Sequence, residues 1–172
     1  QKENAHVLAF ATAAVRRAAN GGDFCALVRQ MCGLNVDVIS GEEEALLGLS
    51  GALGHSDGGM IDIGGASTEI CIRRGGEIVF SVSLPIGAVR ILEQCGQDPR
   101  KIRAFVEDAL HPLHGICGPA QMYAIGGTAS TLASIRLGLS EYDAKKLNGL
   151  SLPRDWLSEI SGRLLSCLLY TS

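Results

Sequence analysis

No run of lysine or arginine in the 172 residues is longer than a pair, as at Arg16-Arg17 and Lys145-Lys146. The electrostatic footprint of a nucleic-acid binder is therefore missing. Charge is sparse altogether, with 19% charged residues and a formal net charge of −3, so any anionic ligand must be held locally. The six cysteines, Cys25, Cys32, Cys71, Cys95, Cys117 and Cys167, include no C-x-x-C pair and have no histidine at zinc-finger spacing, which argues against a structural zinc module. Most of them lie in apolar patterns and read as reduced core residues of a cytosolic protein. His111 and His114 flank Pro112 with no acidic partner evident, a poor start for a metal site. There is no charged-then-apolar leader at Gln1 and no apolar run long enough to span a bilayer. Both ends read as cuts, and a piece of a longer protein is expected.

What is present is ample core material, 47% apolar residues, organised around Met60 to Ile72, "MIDIGGASTEICI". An apolar run ends in an acid, two glycines and two hydroxyl residues follow, and a second acid opens a second apolar run. This predicts a strand, a tight turn and a returning strand, with Asp62, Gly64, Gly65, Ser67, Thr68 and Glu69 at one tip. Such a tip suits phosphate: consecutive backbone N–H groups cradle its oxygens, hydroxyls add donors, and a carboxylate holds the neutralising cation. The plainer reading is a hairpin whose glycines serve only the turn.

Upstream, a buried strand is expected over His6–Thr12, then an alanine-rich helix stopped at Asn20-Gly21-Gly22. Either Arg16 or Arg17 points to a ligand, or both form a solvated face. Asp23 is expected to cap a helix through Cys32 with Phe24, Leu27, Val28 and Met31 as its apolar stripe, ended by Gly33 and followed by a strand over Val36–Ile39. Ser40 and Glu43 form a capping box, which accounts for Glu43 without any function. Glu44 instead shares a face with Gly48 and Gly51, beside a greasy stripe of Leu46, Leu49 and Leu53. A carboxylate over a small-residue groove has room for a ligand or a water, and a solvated glutamate is the competing reading.

The polar connector "GHSDGG" marks a domain boundary, giving units 1–54 and 55–172. Gly75-Gly76 predicts a turn into a third strand over Glu77–Leu84, followed by helices over Ala88–Cys95 and from Pro99, the latter with Ile102, Phe105, Val106, Ala109 and Leu110 inward. "QMYAI" predicts a fourth strand, and Gly126, Gly127 and Thr128 follow at once to open a helix, repeating the logic of the first tip with free helix N–H groups. A helix start capped by Thr128 is the competing account. Ser151–Leu165 reads as a final helix, with Trp156 and Ile160 packing. Strands alternating with helices in this order indicate an α/β fold with crossover connections.

Five segments, in order, resemble the exopolyphosphatase and guanosine pentaphosphate phosphohydrolase (Ppx/GppA) family of the actin, sugar kinase and Hsp70 superfamily: "ATAAVRRAAN", "ISGEEEA", "DIGGASTE", "SLPIGAVR" and "AIGGTAS". The resemblance implies ribonuclease-H-like (actin-like ATPase) domains, mixed sheets flanked by helices, with residues 1–54 ending the first domain and 55–172 forming most of the second. It implies that Glu44 activates the attacking water, that Asp62 and Glu69 hold Mg²⁺ or another divalent cation, and that Arg16 rather than Arg17 contacts substrate. Gly64, Gly65, Ser67 and Thr68 become the phosphate cradle, and Gly126, Gly127 and Thr128 the opposing loop.

The implied activity is release of terminal phosphate from inorganic polyphosphate or guanosine pentaphosphate by a cytoplasmic enzyme that binds no nucleic acid and is a homodimer when full length. Within the same frame stand a kinase or ATPase of the superfamily and a non-hydrolytic phosphate or nucleotide sensor. The family's first phosphate loop would precede Gln1. Ala13 replaces the usual serine, and Asn148 stands where a histidine is common. Ala66 replaces a usual third glycine, and if that position needs φ > 0 its methyl costs about 1 kcal/mol or shifts the loop.

Overall fold

The computed structural model describes residues 6–116 and 121–169. Gln1, Cys117 and Tyr170 to Ser172 lie outside them, as does the side chain of Cys167. In a first sheet, β1 (Ala9–Ala11) pairs in parallel with β2 (Val36–Val38), and the crossover runs through α1 (Ala13–Arg17) and α2 (Gly21–Cys32). Parallel neighbours need such a connection. The Gly21-Gly22 pair expected to stop a helix instead opens α2, because Gly21 is buried against the carbonyl of Val15, where no side chain fits. Asp23 falls in the first turn, with Asn20 at the cap.

The strand expected over His6–Thr12 is shorter than predicted and is not buried. Val7, Leu8 and Phe10 are exposed, as are Phe24, Leu27 and Met31 of the α2 stripe. Two short strands and two helices offer no second layer to cover these faces. For the same reason Cys32 is exposed and Cys25 only half-buried, whereas Cys71 and Cys95 are buried as expected.

α3 (Gly41–Leu53) begins at the expected capping box: Ser40 Oγ accepts from the Glu43 N–H at 3.1 Å, and the Ser40 N–H donates to Glu43 Oε2 at 2.7 Å. It then packs on the second sheet. That sheet is a meander of β3 (Gly58–Ile63), β4 (Thr68–Arg74) and β5 (Glu77–Leu84), joined on the free side of β3 by a parallel β6 (Met122–Ile125), giving the order β5-β4-β3-β6. Ala45 and Leu49 of α3 meet Met60 and Cys71 in a fully buried cluster edged by Ala52, Leu53 and Ile125. Leu46, expected in the same stripe, is exposed. Gly48 belongs to this packing rather than to an open groove, since a side chain there would sit 2.9 Å from Met60 Cε and 3.2 Å from Ile125 Cδ1.

The connector before β3 is tied to the β4–β5 turn. Asp57 accepts hydrogen bonds from Gly75 N–H at 2.6 Å and Gly76 N–H at 3.0 Å. These bonds, Gly76 first, hold its carboxyl below the ordinary value. After β5, α4 (Ala88–Cys95) and α5 (Pro99–Leu110) lead to a 3₁₀ turn at His111–Leu113, and Asp98 caps α5 through the Arg100 N–H at 2.9 Å. Beyond β6 come α6 (Gly126–Leu137), α7 (Ala144–Leu147) and α8 (Arg154–Leu169). The guanidinium of Arg136 lies 5.1 Å from the Trp156 ring centre, and Ile160 is buried. No helix among the described residues is long and apolar enough to cross a membrane.

Candidate active site

Parallel pairing of β3 with β6 decides where the chemistry gathers. Asp62 lies opposite Ile125 in register, so the Gly64–Ser67 loop and the Gly126–Thr128 turn leave the same end of neighbouring strands. The two tips touch. Thr128 Oγ1 donates to the Ile63 carbonyl at 2.8 Å, and a side chain at Gly126 would collide with Asp62 Oδ1. Gly126 also has φ of +81°, so backbone conformation and space both require glycine there.

The first loop is held by its carbonyls. Gly64 donates to the Ser67 carbonyl at 3.0 Å, closing the turn, while the first N–H groups of α4 reach back: Ala88 to Gly64 O at 2.9 Å and Val89 to Gly65 O at 2.9 Å. Arg90 Nε adds a bond to Ala66 O at 2.9 Å. Gly87 packs so closely that a side chain on it would lie 2.5 Å from the Gly65 carbonyl carbon and oxygen. With the carbonyls taken, the N–H groups of Gly65, Ala66 and Ser67 have no acceptor among the described residues, the arrangement of an anion cradle.

Of the three hydroxyls assigned to the cradle and the opposing loop, that of Ser67 has no partner among the described residues, whereas Thr68 Oγ1 donates to the Ile86 carbonyl at 2.8 Å and Thr128 is engaged with Ile63. Thr128 does not cap α6, whose cap is Ile125 without a side-chain bond. The first N–H groups of α6 thus stay available beside the cradle, and Gly127 has open space around it. No non-glycine residue described has positive φ, so Ala66 fits without the penalty that a left-handed position would carry.

Three carboxylates border these donors. Glu69 is 2% exposed and accepts one hydrogen bond, from Ser83 Oγ at 2.7 Å. Asp62 is partly buried, and burial first, then the charge of Glu69, push its carboxyl above the ordinary value. Glu44 faces inward from α3, its side chain 20% exposed and paired with Arg16 across 3.4 Å. Burial, then the charge of Glu69, raise the Glu44 carboxyl against the opposing bond and charge of Arg16, with Asp62 adding a smaller push upward. Arg16 is itself anchored at 2.6 Å on the Ile39 carbonyl, while Arg17 is exposed.

The arrangement carries more negative charge than the one facing arginine offsets, and no lysine or arginine among the described residues pairs with Glu69. Such a donor set fits a hard divalent cation shared with a phosphate. Magnesium commonly takes only one or two protein carboxylates, the rest being water and phosphate oxygens. Among the described residues no group of three or more His, Cys, Asp or Glu side chains is placed to hold a metal ion, and His111 and His114, with ring centres 5.4 Å apart, are exposed.

A carboxylate must be ionised to accept a proton, so if Glu44 serves as a base its raised carboxyl has a kinetic signature. In the whole protein, the acidic limb of kcat/KM against pH is expected above the ordinary glutamate range of about 4.3. Removing the charge at Arg16 with Arg16→Met is expected to move that limb further up. A limb that moves down, read from the pH profile, contradicts the pairing.

Sequence reasoning missed Ser83, Gly87 and Arg90. All three lie within "SLPIGAVR", a segment recognised above without a role for any of its residues.

The sequence profile of the Ppx/GppA phosphatase family matches residues 2–168. A guanosine-5'-triphosphate,3'-diphosphate pyrophosphatase of Vibrio cholerae is 45% identical over 92 residues, 51% of this chain and 18% of that protein. The fold matches the Aquifex aeolicus Ppx/GppA family member with a TM-score of 0.72 at 31% identity, covering 92% of this chain and 55% of that one. An exopolyphosphatase from Cytophaga hutchinsonii gives a TM-score of 0.75 at 24% identity, covering 94% and 57%, and shares the fold. The chain thus spans about half the length of these solved relatives.

Proposed function

The chain belongs to the Ppx/GppA phosphatase family, and from that premise we propose that the whole protein is a phosphohydrolase. It releases the terminal phosphate of guanosine pentaphosphate or inorganic polyphosphate, in the cleft between two ribonuclease-H-like domains. Residues 1–54 end the first domain and 55–172 make most of the second, with α3 reaching across to the second sheet. The observation that carries this reading is the convergence of two unclaimed sets of N–H groups with Glu44, Asp62 and Glu69 at one end of β3 and β6.

In this reading the terminal phosphate lies on the N–H groups of Gly65, Ala66 and Ser67 and on those that open α6. Arg16 steadies the neighbouring phosphate. Glu44 takes a proton from a water placed in line with the bridging P–O bond; the water oxygen bonds to phosphorus, and the bridging oxygen leaves with the shortened chain. Asp62 and Glu69 hold Mg²⁺ or another divalent cation, which when bound offsets charge on the phosphoryl oxygens. Phosphoryl transfer needs mainly positioning and charge stabilisation, and these residues supply both. The enzyme works in the cytoplasm as a homodimer and does not bind nucleic acid.

The test is phosphate release by the whole protein from each of the two substrates, with Mg²⁺ and with a chelator in excess. Release from at least one substrate, lost on chelation, is expected. Tight binding of both without release would make the protein a sensor instead, and overturn the proposal.

A further inference from the structure

We infer that Ser83 is a positioning residue that joins the two halves of this site by fixing how Glu69 presents its carboxylate to a divalent cation. The inference rests on the metal role given to Glu69 above. Ser83 lies opposite Glu69 in the β4–β5 ladder and donates its hydroxyl to Oε1 at 2.7 Å. Its other side is closed by the start of α3: a side chain on Gly41 would run into Ser83 Cβ, lie 2.6 Å from Ser83 Oγ, and come within 3.6 Å of Arg16 Nη2. One hydroxyl therefore sits between the cation-holding carboxylate and the element that carries Glu44 and receives Arg16.

The physical need is specific. Glu69 is almost wholly enclosed, bears a flexible side chain, and has no basic partner among the described residues. A single charge-assisted donor then decides which oxygen is engaged and which is left for a ligand. Removing a group that orients a ligating carboxylate typically weakens metal binding by about 10–100-fold. Ser83 touches neither phosphate nor water in this scheme, so its effect must pass through Glu69.

The experiment titrates Mn²⁺ into the whole protein without substrate and reads free Mn²⁺ by electron paramagnetic resonance, for the parent, Ser83→Ala, Glu69→Gln and the double variant. Ser83→Ala is expected to weaken Mn²⁺ binding by about tenfold or more in the parent, and to change nothing further in the Glu69→Gln background, as two residues acting as one unit require. Equal losses in both backgrounds, or parental affinity in Ser83→Ala, would overturn the inference while leaving the metal role of Glu69 intact. Parental affinity in Glu69→Gln would instead remove the metal assignment on which it stands.

Discussion

Replacing Glu44 with glutamine in the whole protein is expected to lower the rate of phosphate release by about 10²–10⁴-fold, the range general base catalysis supplies, with substrate affinity close to the parent's. The amide keeps the size and the position on α3, where Ala45 and Leu49 anchor the helix in the core, but it cannot accept a proton from water. The loss should fall on kcat, because the donors that bind phosphate lie on the other elements of the site. One further change works in the opposite direction: Glu44 no longer repels Asp62 and Glu69, so affinity for the cation should not fall. Full activity in Glu44→Gln, measured as phosphate released under saturating substrate, removes the assigned role.

Gly87→Ala is expected to be nearly as damaging, although Gly87 touches no substrate. Its backbone is extended, with φ of −166°, a conformation alanine adopts freely, so the effect is steric alone. The added carbon would lie 2.5 Å from the Gly65 carbonyl and 2.7 Å from the Ala66 nitrogen. These are backbone atoms of the cradle, with no flexible side chain to yield. Overpacking of this kind costs about 1–3 kcal/mol. The larger consequence is displacement of the loop, and a misplacement of about 1 Å can cost about 100-fold in rate. Gly22→Ala, at an α2 position with nothing within 4 Å, serves as the control: it should leave the rate unchanged and stability equal to or slightly above the parent's, since alanine is the better helix former. A Gly87→Ala protein with parental kcat/KM would mean that the loop's position is not set by α4.

What the sequence made legible was local. The capping box at Ser40 and Glu43, the proline that starts α5, and the glycines flanking the strands of the meander act within a few residues, so their effects can be read along the chain. Glu44 was separable from its neighbours by helical spacing, and the structure turns it inward against Arg16. The spacing also suggested an open groove along Gly48, which is filled by Met60, because helical periodicity defines a face and not what covers it. Apolar stripes misled in the same way on α2, where Phe24, Leu27 and Met31 have the pattern of a core without a layer to form one. Ser83, Gly87 and Arg90 were silent because each matters through a contact between segments far apart in sequence, Ser83 with Glu69 across the sheet, Gly87 and Arg90 with the Gly65 and Ala66 backbone of the loop. No periodicity encodes such a contact.

The bond from Thr128 to Ile63, together with the β3–β6 ladder, has a mechanical consequence. Both glycine turns are held at one end of the second sheet, and α3 rests on the same sheet, so cradle, acids and base share a single support. Arg16 alone comes from α1, beside the first sheet, and is held there by its bond to the Ile39 carbonyl.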